Sequence, residues 1–269
     1  MRKTLRVAGL ATACTVAGAA LYATGVASAG QQAEHRPTKE PHNIGLLVGE
    51  IDAYYGAVKG ADGVWKSSPD SPYAKDLARI QAKAKKDIKK AAERAHHGHG
   101  GHGGKPAIVL DVDDTALLSF DYEKSVNYTY DNDSWDAYVK AAKRPAVFGM
   151  PELVKYAKKR GVEVFFLTGL AETQREGAVT NLARAGYDTR LDRAHVYTKD
   201  KKNPPSYLKH CATAAAWNCT TVQFKEGTRK HIESTGYDIV GSFGDQVSDL
   251  AGGYADKTYK LPNPTYFVG

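Results

Sequence analysis

Ala107-Ile108-Val109-Leu110-Asp111-Val112-Asp113-Asp114-Thr115 is the stretch whose reading decides the fold. Its opening apolar run predicts a strand buried on both faces. Carboxylates at the end of such a strand are costly unless a cation neutralises them. The same pattern recurs downstream. Asp238-Ile239-Val240-Gly241-Ser242-Phe243 predicts a strand, and Gly244-Asp245-Gln246-Val247-Ser248-Asp249 follows it. The simplest neutraliser for two acidic strand ends is a hard divalent ion, which takes oxygen ligands.

Between these strings the chain alternates. Pro151 to Arg160 predicts a helix, Val162 to Thr168 a strand, and Glu172 to Ala185 a helix stopped by Gly186. His195-Val196-Tyr197 predicts a short strand, Val222-Gln223-Phe224 a strand end, and Glu226 to Ser234 a helix. Strands alternating with helices imply an α/β fold with a mostly parallel sheet covered on both faces. Ligands of such sheets sit beyond the carboxyl ends of the strands. Asp111, Thr168 and Asp245 each close a strand at that end.

Each residue has a chemical role to offer there. Asp111 is the candidate nucleophile for phosphoryl transfer through an aspartyl intermediate. Asp113 is placed to protonate a leaving alcohol and then to deprotonate water. Thr168 offers a hydroxyl, and the backbone around Gly169 offers N–H groups, to phosphoryl oxygens. Lys225 supplies a cation for the transferring charge. Asp245 completes the metal shell and Asp249 orients a metal-bound water. Taken singly, each has a bland reading: a turn, a helix cap, a strand ending, a surface lysine. Their order, each at the right kind of boundary, makes the joint functional reading the stronger one.

These four segments resemble the four motifs of the haloacid dehalogenase (HAD) superfamily, over about Pro106 to Tyr254. Phe166-Leu167-Thr168-Gly169, Arg175 with Asn181-Leu182, Gln223-Phe224-Lys225 with Arg229, and Gly244-Asp245-Gln246 with Ser248-Asp249-Leu250 are similar to the exported class IIIB acid phosphatases, which include plant vegetative storage proteins. The resemblance implies a Rossmann-like three-layer core with a small C1-type cap, Mg²⁺ dependence and hydrolysis of phosphate monoesters. It also implies metal contacts from Asp111, from the backbone carbonyl of Asp113 and from Asp245. Asp113 favours a phosphatase over a dehalogenase, because a halide leaves without a proton and an alcohol does not. Leu170 stands where many relatives carry Arg. Two other outcomes stay open: a phosphotransferase on the same site, or a non-enzymatic storage or metal-binding protein that keeps the fold. The intact Asp111 and Asp113 argue against the last.

The cap is expected at about residues 119–150. It holds Phe120, Tyr122, Tyr128, Tyr130, Trp135, Tyr138 and Phe148. Such aromatics either stack on a substrate's leaving group or pack the cap onto the core, and packing is the commoner use.

The rest of the chain sets the address. Residues 1–29 read as a secretory signal peptide: Arg2, Lys3 and Arg6, then an apolar stretch from Val7 to Val26, then Ala27-Ser28-Ala29 with cleavage after Ala29. The mature protein is therefore expected outside the cell, with nothing apolar enough to hold it in a membrane. Removing the three leader cations lowers the formal charge from +7 to +4, too mild to imply a nucleic-acid polymer as partner. A content of 42% hydrophobic and 25% charged residues excludes a disordered chain. Residues 30–95 are expected to form an N-terminal helical extension, with helices from Asn43 to Val58 and from Ser71 onward. Residues 96–104, His96-His97-Gly98-His99-Gly100-Gly101-His102-Gly103-Gly104, read as a flexible linker. Residues 105–269 carry the core and cap. Cys211 and Cys219 remain after the leader is removed, and an even count in an exported chain suggests a bridge. A straight helix would set them ~12 Å apart, so a bridge requires the segment to turn back. Two free buried thiols are the alternative.

Overall fold

The structure, a computed structural model, describes residues 40–96 and 103–268. The leader and most of the His/Gly tract lie outside the described residues. The chain divides into two compact units, residues 1–46 and 47–269. In the first, Asn43 Oδ1 accepts the N–H groups of Gly45 and Leu46, capping the start of helix α1 (Ile44–Tyr55).

The second unit is built on five parallel strands in the order β5-β4-β3-β8-β9. Their ranges are β3 Lys105–Leu110, β4 Glu163–Ala171, β5 Val196–Lys199, β8 Tyr237–Gly244 and β9 Thr258–Lys260. Two small antiparallel pairs stand apart: β1 Val58–Lys59 with β2 Trp65–Lys66, and β6 Ala212–Thr213 with β7 Ala216–Trp217. The helices are α2 (Pro72–His96), α3 (Phe120–Ser125), α4 (Asn132–Ala141), α5 (Met150–Lys158), α6 (Arg175–Arg184), α7 (Thr221–Ser234) and α8 (Val247–Leu250).

The pleat sorts the apolar runs into two layers. Ile108, Leu110, Val164 and Phe166 face a core shared with Tyr73, Leu77, Ala84 and Ile88 of α2 and Leu153, Val154 and Ala157 of α5. Ala107, Val109, Phe165 and Leu167 face the other way, onto Phe224 and Ile232 of α7. That is why the strands read as unbroken apolar runs: both faces are covered. α2 buries a stripe at spacings of three and four and leaves its lysines outward. It therefore shares the core of the sheet within the 47–269 unit.

Three sequence expectations change. Val222-Gln223-Phe224 lies in the first turn of α7 and is not a strand. Thr220 Oγ1 accepts the N–H of Gln223, and Gln223 Oε1 accepts the N–H of Thr220, so a capping box starts the helix before these residues. Thr168 lies within β4, which runs on to Ala171. Pairing with β3 stops at Phe166 because β3 itself ends at Leu110. The expected helix from Glu172 opens as a 3₁₀ turn over Glu172–Gln174 before α6 begins. Among the described residues no helix is long and apolar enough to cross a membrane.

Candidate active site

Sheet register assembles the site. Leu110 is level with Phe166 on one side and Phe243 on the other. Asp111 therefore follows β3 where Thr168 stands two residues past Phe166 and Asp245 two past Phe243. The N–H of Asp111 donates to Phe243 O at 2.9 Å, which fixes the first residue beyond the strand. The chain then turns through Asp114, whose φ of 51° is left-handed. Asp114 is buried and accepts the N–H of Ser119 at 2.9 Å and also the Ser119 hydroxyl. This turn swings Asp113 back toward the strand ends.

A buried lysine meets two of the acids. Lys225 Nζ donates to Asp111 Oδ1, donates to Leu167 O at 2.5 Å and stands 3.2 Å from Asp249 Oδ1. Burial by itself would lower the Lys225 pKa, but Asp111 and Asp249 overcome it and hold the group charged. Burial raises Asp111 well above the usual carboxylate range; Lys225 opposes this, while Asp249, Asp113 and Asp245 add to it. Burial, then Asp114 and Asp249, pushes Asp245 up to about 7. These acids outnumber the cations and pay a desolvation cost to ionise.

Oxygens of Asp111, Asp245 and Asp249 all lie within 4.8 Å of one another. Three hard carboxylates this close, two of them with raised pKa, fit a small divalent ion. Their other contacts aim them. Asp245 Oδ2 accepts the side-chain amides of Gln246 and Asn263, both at 2.7 Å, and Oδ1 accepts Thr115 Oγ1 at 3.2 Å. Asp249 Oδ2 accepts the N–H of Gln246 at 2.9 Å. Gly244 allows this packing, since a Cβ there would stand 2.4 Å from the Asp249 Cβ. Arg229 holds the turn beneath, donating to the carbonyls of Asp249, Ala251 and Gly253 at 2.7, 2.5 and 3.0 Å.

The carboxylate of Asp113 lies outside that trio. Its Oδ1 accepts Arg144 Nη1 at 2.5 Å and its Oδ2 accepts Thr168 Oγ1 at 3.0 Å. Thr168 Oγ1 also accepts the N–H of Leu170 at 3.1 Å. Gly169 is exposed at the rim. Carboxylates that could hold a divalent ion, a buried lysine, and a hydroxyl bonded to an acid outside the trio are parts that phosphoryl transfer uses.

A model of HAD superfamily subfamily IIIB, the acid phosphatase subfamily, matches residues 70–269. The chain belongs to this subfamily. Among its relatives, the stem 28 kDa glycoprotein of Glycine max is 30% identical over 172 residues, 61% of each chain. Acid phosphatase 1 of Solanum lycopersicum is 30% identical over 164 residues, 60% of this chain and 58% of that one. The chain thus spans about three fifths of the length of these curated relatives. The class C acid phosphatase of Bacillus anthracis superposes with a TM-score of 0.56 at 20% identity, over 74% of this chain and 80% of that one, which shows a shared fold.

Within this HAD subfamily member, the structure brings Asp111, Asp245, Asp249 and Lys225 together, sets Asp113 against Thr168 outside that group, leaves Gly169 at the rim, and adds other residues. Arg144, Asn263 and Lys199 have no sequence signal of their own, whereas Thr115 closes the acidic string after β3. Lys199, at the end of β5, puts Nζ 3.7 Å from where a Cβ on Gly169 would stand. Burial, then Lys225 and Lys201, lowers its pKa. Asn181 clamps the backbone of Arg144, accepting its N–H at 3.0 Å and donating to its carbonyl at 2.8 Å. Arg175 ties α6 to β5 by donating to Val196 O at 2.6 Å and to Thr198 Oγ1 at 2.9 Å. Leu170 is buried against Val139 of α4 and Ala178 of α6, so apolar packing, not charge, fills the position after Gly169. The cap aromatics divide. Phe120 stacks on Tyr55 at 4.3 Å and Phe148 meets Tyr73 edge-on, both in the core. Tyr122, Trp135 and Tyr138 pack on one another, while Tyr130 is 63% exposed with its ring 6.4 Å from that of Trp135.

Proposed function

We propose that this protein is an exported, Mg²⁺-dependent acid phosphatase that hydrolyses small phosphate monoesters through an aspartyl-phosphate on Asp111. The observation that carries the reading is the convergence of Asp111, Asp245 and Asp249 within 4.8 Å of one another, with Lys225 paired to Asp111 and Asp249. Those three carboxylates would hold the ion, with the backbone carbonyl of Asp113 as the further ligand the family resemblance assigns. When bound, Mg²⁺ offsets the negative charges of nucleophile and phosphate and orients both.

The chain's own groups do the rest. Asp111 forms a bond to phosphorus as the ester P–O bond breaks, and Asp113 gives its proton to the departing alcohol oxygen. Thr168 Oγ1 and the N–H groups around Gly169 donate to the phosphoryl oxygens. Lys225 carries positive charge to the same place. Asp113, now ionised, takes a proton from water as that water attacks phosphorus. Phosphate leaves, and Asp111 and the proton on Asp113 are restored. Export follows from the leader ending at Ala29, after which Cys211 and Cys219 meet an oxidising environment.

The test is release of p-nitrophenol from its phosphate ester with Mg²⁺, with EDTA, and in Asp111→Asn. Chelation and the substitution are each expected to lower kcat by at least roughly a thousandfold. Turnover that ignores both overturns the reading.

A further inference from the structure

Arg144 sits in the sequence as an ordinary cation, Lys143-Arg144-Pro145, in the run that leaves the cap. The fold places it elsewhere than on the surface. The loop after β3 pairs with the chain leaving the cap: Leu118 N–H donates to Pro145 O at 2.9 Å and Val147 N–H to Ala116 O at 3.0 Å. That pairing lays Arg144 against Asp113, and the two-sided clamp by buried Asn181 fixes its backbone there. Its side chain is 0% exposed.

The guanidinium is under-used for a buried group. Nη1 holds Asp113 Oδ1, and the ring of Trp135 lies 5.6 Å from the guanidinium carbon. Nε and Nη2 are buried without a hydrogen-bond partner among the described residues. One bond to a carboxylate and one aromatic face do not offset the desolvation of a guanidinium with unpaired donors. The fold gains little from Arg144, so its contribution falls on the group it holds. That group has two oxygens with two different partners. Arg144 takes Oδ1, and Thr168 takes Oδ2 at 3.0 Å. When Thr168 turns its hydroxyl to a phosphoryl oxygen, Arg144 is the anchor that remains.

We propose that Arg144 is a positioning residue for Asp113: delivered by the cap, it keeps that carboxylate aimed at the leaving oxygen through the reaction. This rests on the role given to Asp113 above. It makes proton delivery, and not phosphate binding, the step that Arg144 serves. Need for the proton depends on the leaving group. p-Nitrophenolate departs without one, whereas the alkoxide of glycerol does not.

The experiment compares Arg144→Gln, Arg144→Met and Arg144→Lys on p-nitrophenyl phosphate and glycerol 2-phosphate. For Gln and Met, kcat/KM, which reports departure of the leaving group and not hydrolysis of the shared phospho-enzyme, is expected to fall roughly a hundredfold on the glycerol ester and less than about fivefold on the aryl ester, with Lys recovering part of the loss. Equal losses on both esters overturn the proposal. Crystal structures of unliganded Thr168→Val and of Thr168→Val with Arg144→Gln, in which the Thr168 hydroxyl no longer holds Asp113, supply a readout independent of turnover. The Asp113 carboxylate is expected to keep its place in the first and to lose it in the second. A carboxylate that keeps its place in both, or loses it in the first, overturns the proposal, whether or not the protein hydrolyses either ester. Failure of the wild type on both esters sinks the phosphatase reading alone, and the two crystal structures still decide the positioning role.

Discussion

Asp111, Asp113, Asp114, Asp245 and Asp249 share one rim of the sheet, and among the described residues Lys225 pairs with Asp111 and Asp249 and Arg144 with Asp113. At the scale of single residues this imbalance governs stability. Burial and the neighbouring acids push Asp245 from an ordinary 3.8 to about 7. The folded protein therefore binds a proton at this carboxylate that the unfolded chain has released. The stabilising contribution is complete below the unfolded value and is lost as pH rises through about 7. Metal-free protein is expected to melt at a lower temperature at about pH 8 than at about pH 5.5. Saturating Mg²⁺ is expected to raise the melting temperature more at the higher pH, because the ion takes the place of the proton. Calorimetry in EDTA and in Mg²⁺ at both pH values checks this, and equal melting temperatures in EDTA refute it. The motif acids were legible in the sequence because each ends an apolar run. Arg144 and Asn263 were not, since they reach Asp113 and Asp245 across 31 and 18 residues with no periodic pattern to mark them.

At the scale of elements, the cap is held by a close approach. A Cβ on Gly177 of α6 would stand 2.7 Å from Val139 O and 3.0 Å from Lys140 Cα, both backbone atoms at the end of α4. Neither side can yield without moving α4, and α4 leads directly into Arg144. Gly177→Ala is expected to cost about 1–3 kcal/mol of stability. It is also expected to lower kcat/KM for alkyl esters more than for aryl esters, by displacing Arg144. Denaturant titration and the paired esters measure the two effects; an unchanged unfolding midpoint counts against the close contact. The strands were legible as types because burial on both faces leaves only apolar residues. Their ends were less so. Where β4 stops pairing depends on where β3 stops, and Val222 to Phe224 joined a helix because Thr220 and Gln223 cap it reciprocally. A run of three residues cannot outweigh such a cap.

At the scale of the whole molecule, a covalent link supports the segment that carries Lys225. Cys211 and Cys219 are bridged with Cα atoms 4.8 Å apart, and the β6–β7 hairpin between them provides the reversal that a bridge demands. Two residues beyond the bridge α7 begins, and Lys225 lies in its second turn. The Trp217 indole N–H donates to Cys219 O at 3.1 Å and its ring meets Phe224 at 5.7 Å, so the hairpin packs on that helix. Replacing both cysteines by serine is expected to cost about 2–3 kcal/mol, the chain entropy of a short closed loop. A chemical-denaturation midpoint that stays put would show that the link contributes nothing.

Read alone, the chain determined the strand–helix alternation, the acids at the strand ends and the family they resemble. These follow from local pattern: apolar runs, caps, and charges that solvent cannot reach. Tertiary structure decided which acids cluster within 4.8 Å of one another and which stands apart with Thr168. It also decided that a cation from the cap meets Asp113, and that Leu170 fills a slot in the packing between α4 and α6. Those outcomes depend on register and on the depth of burial, and both are set only when distant segments pack against one another.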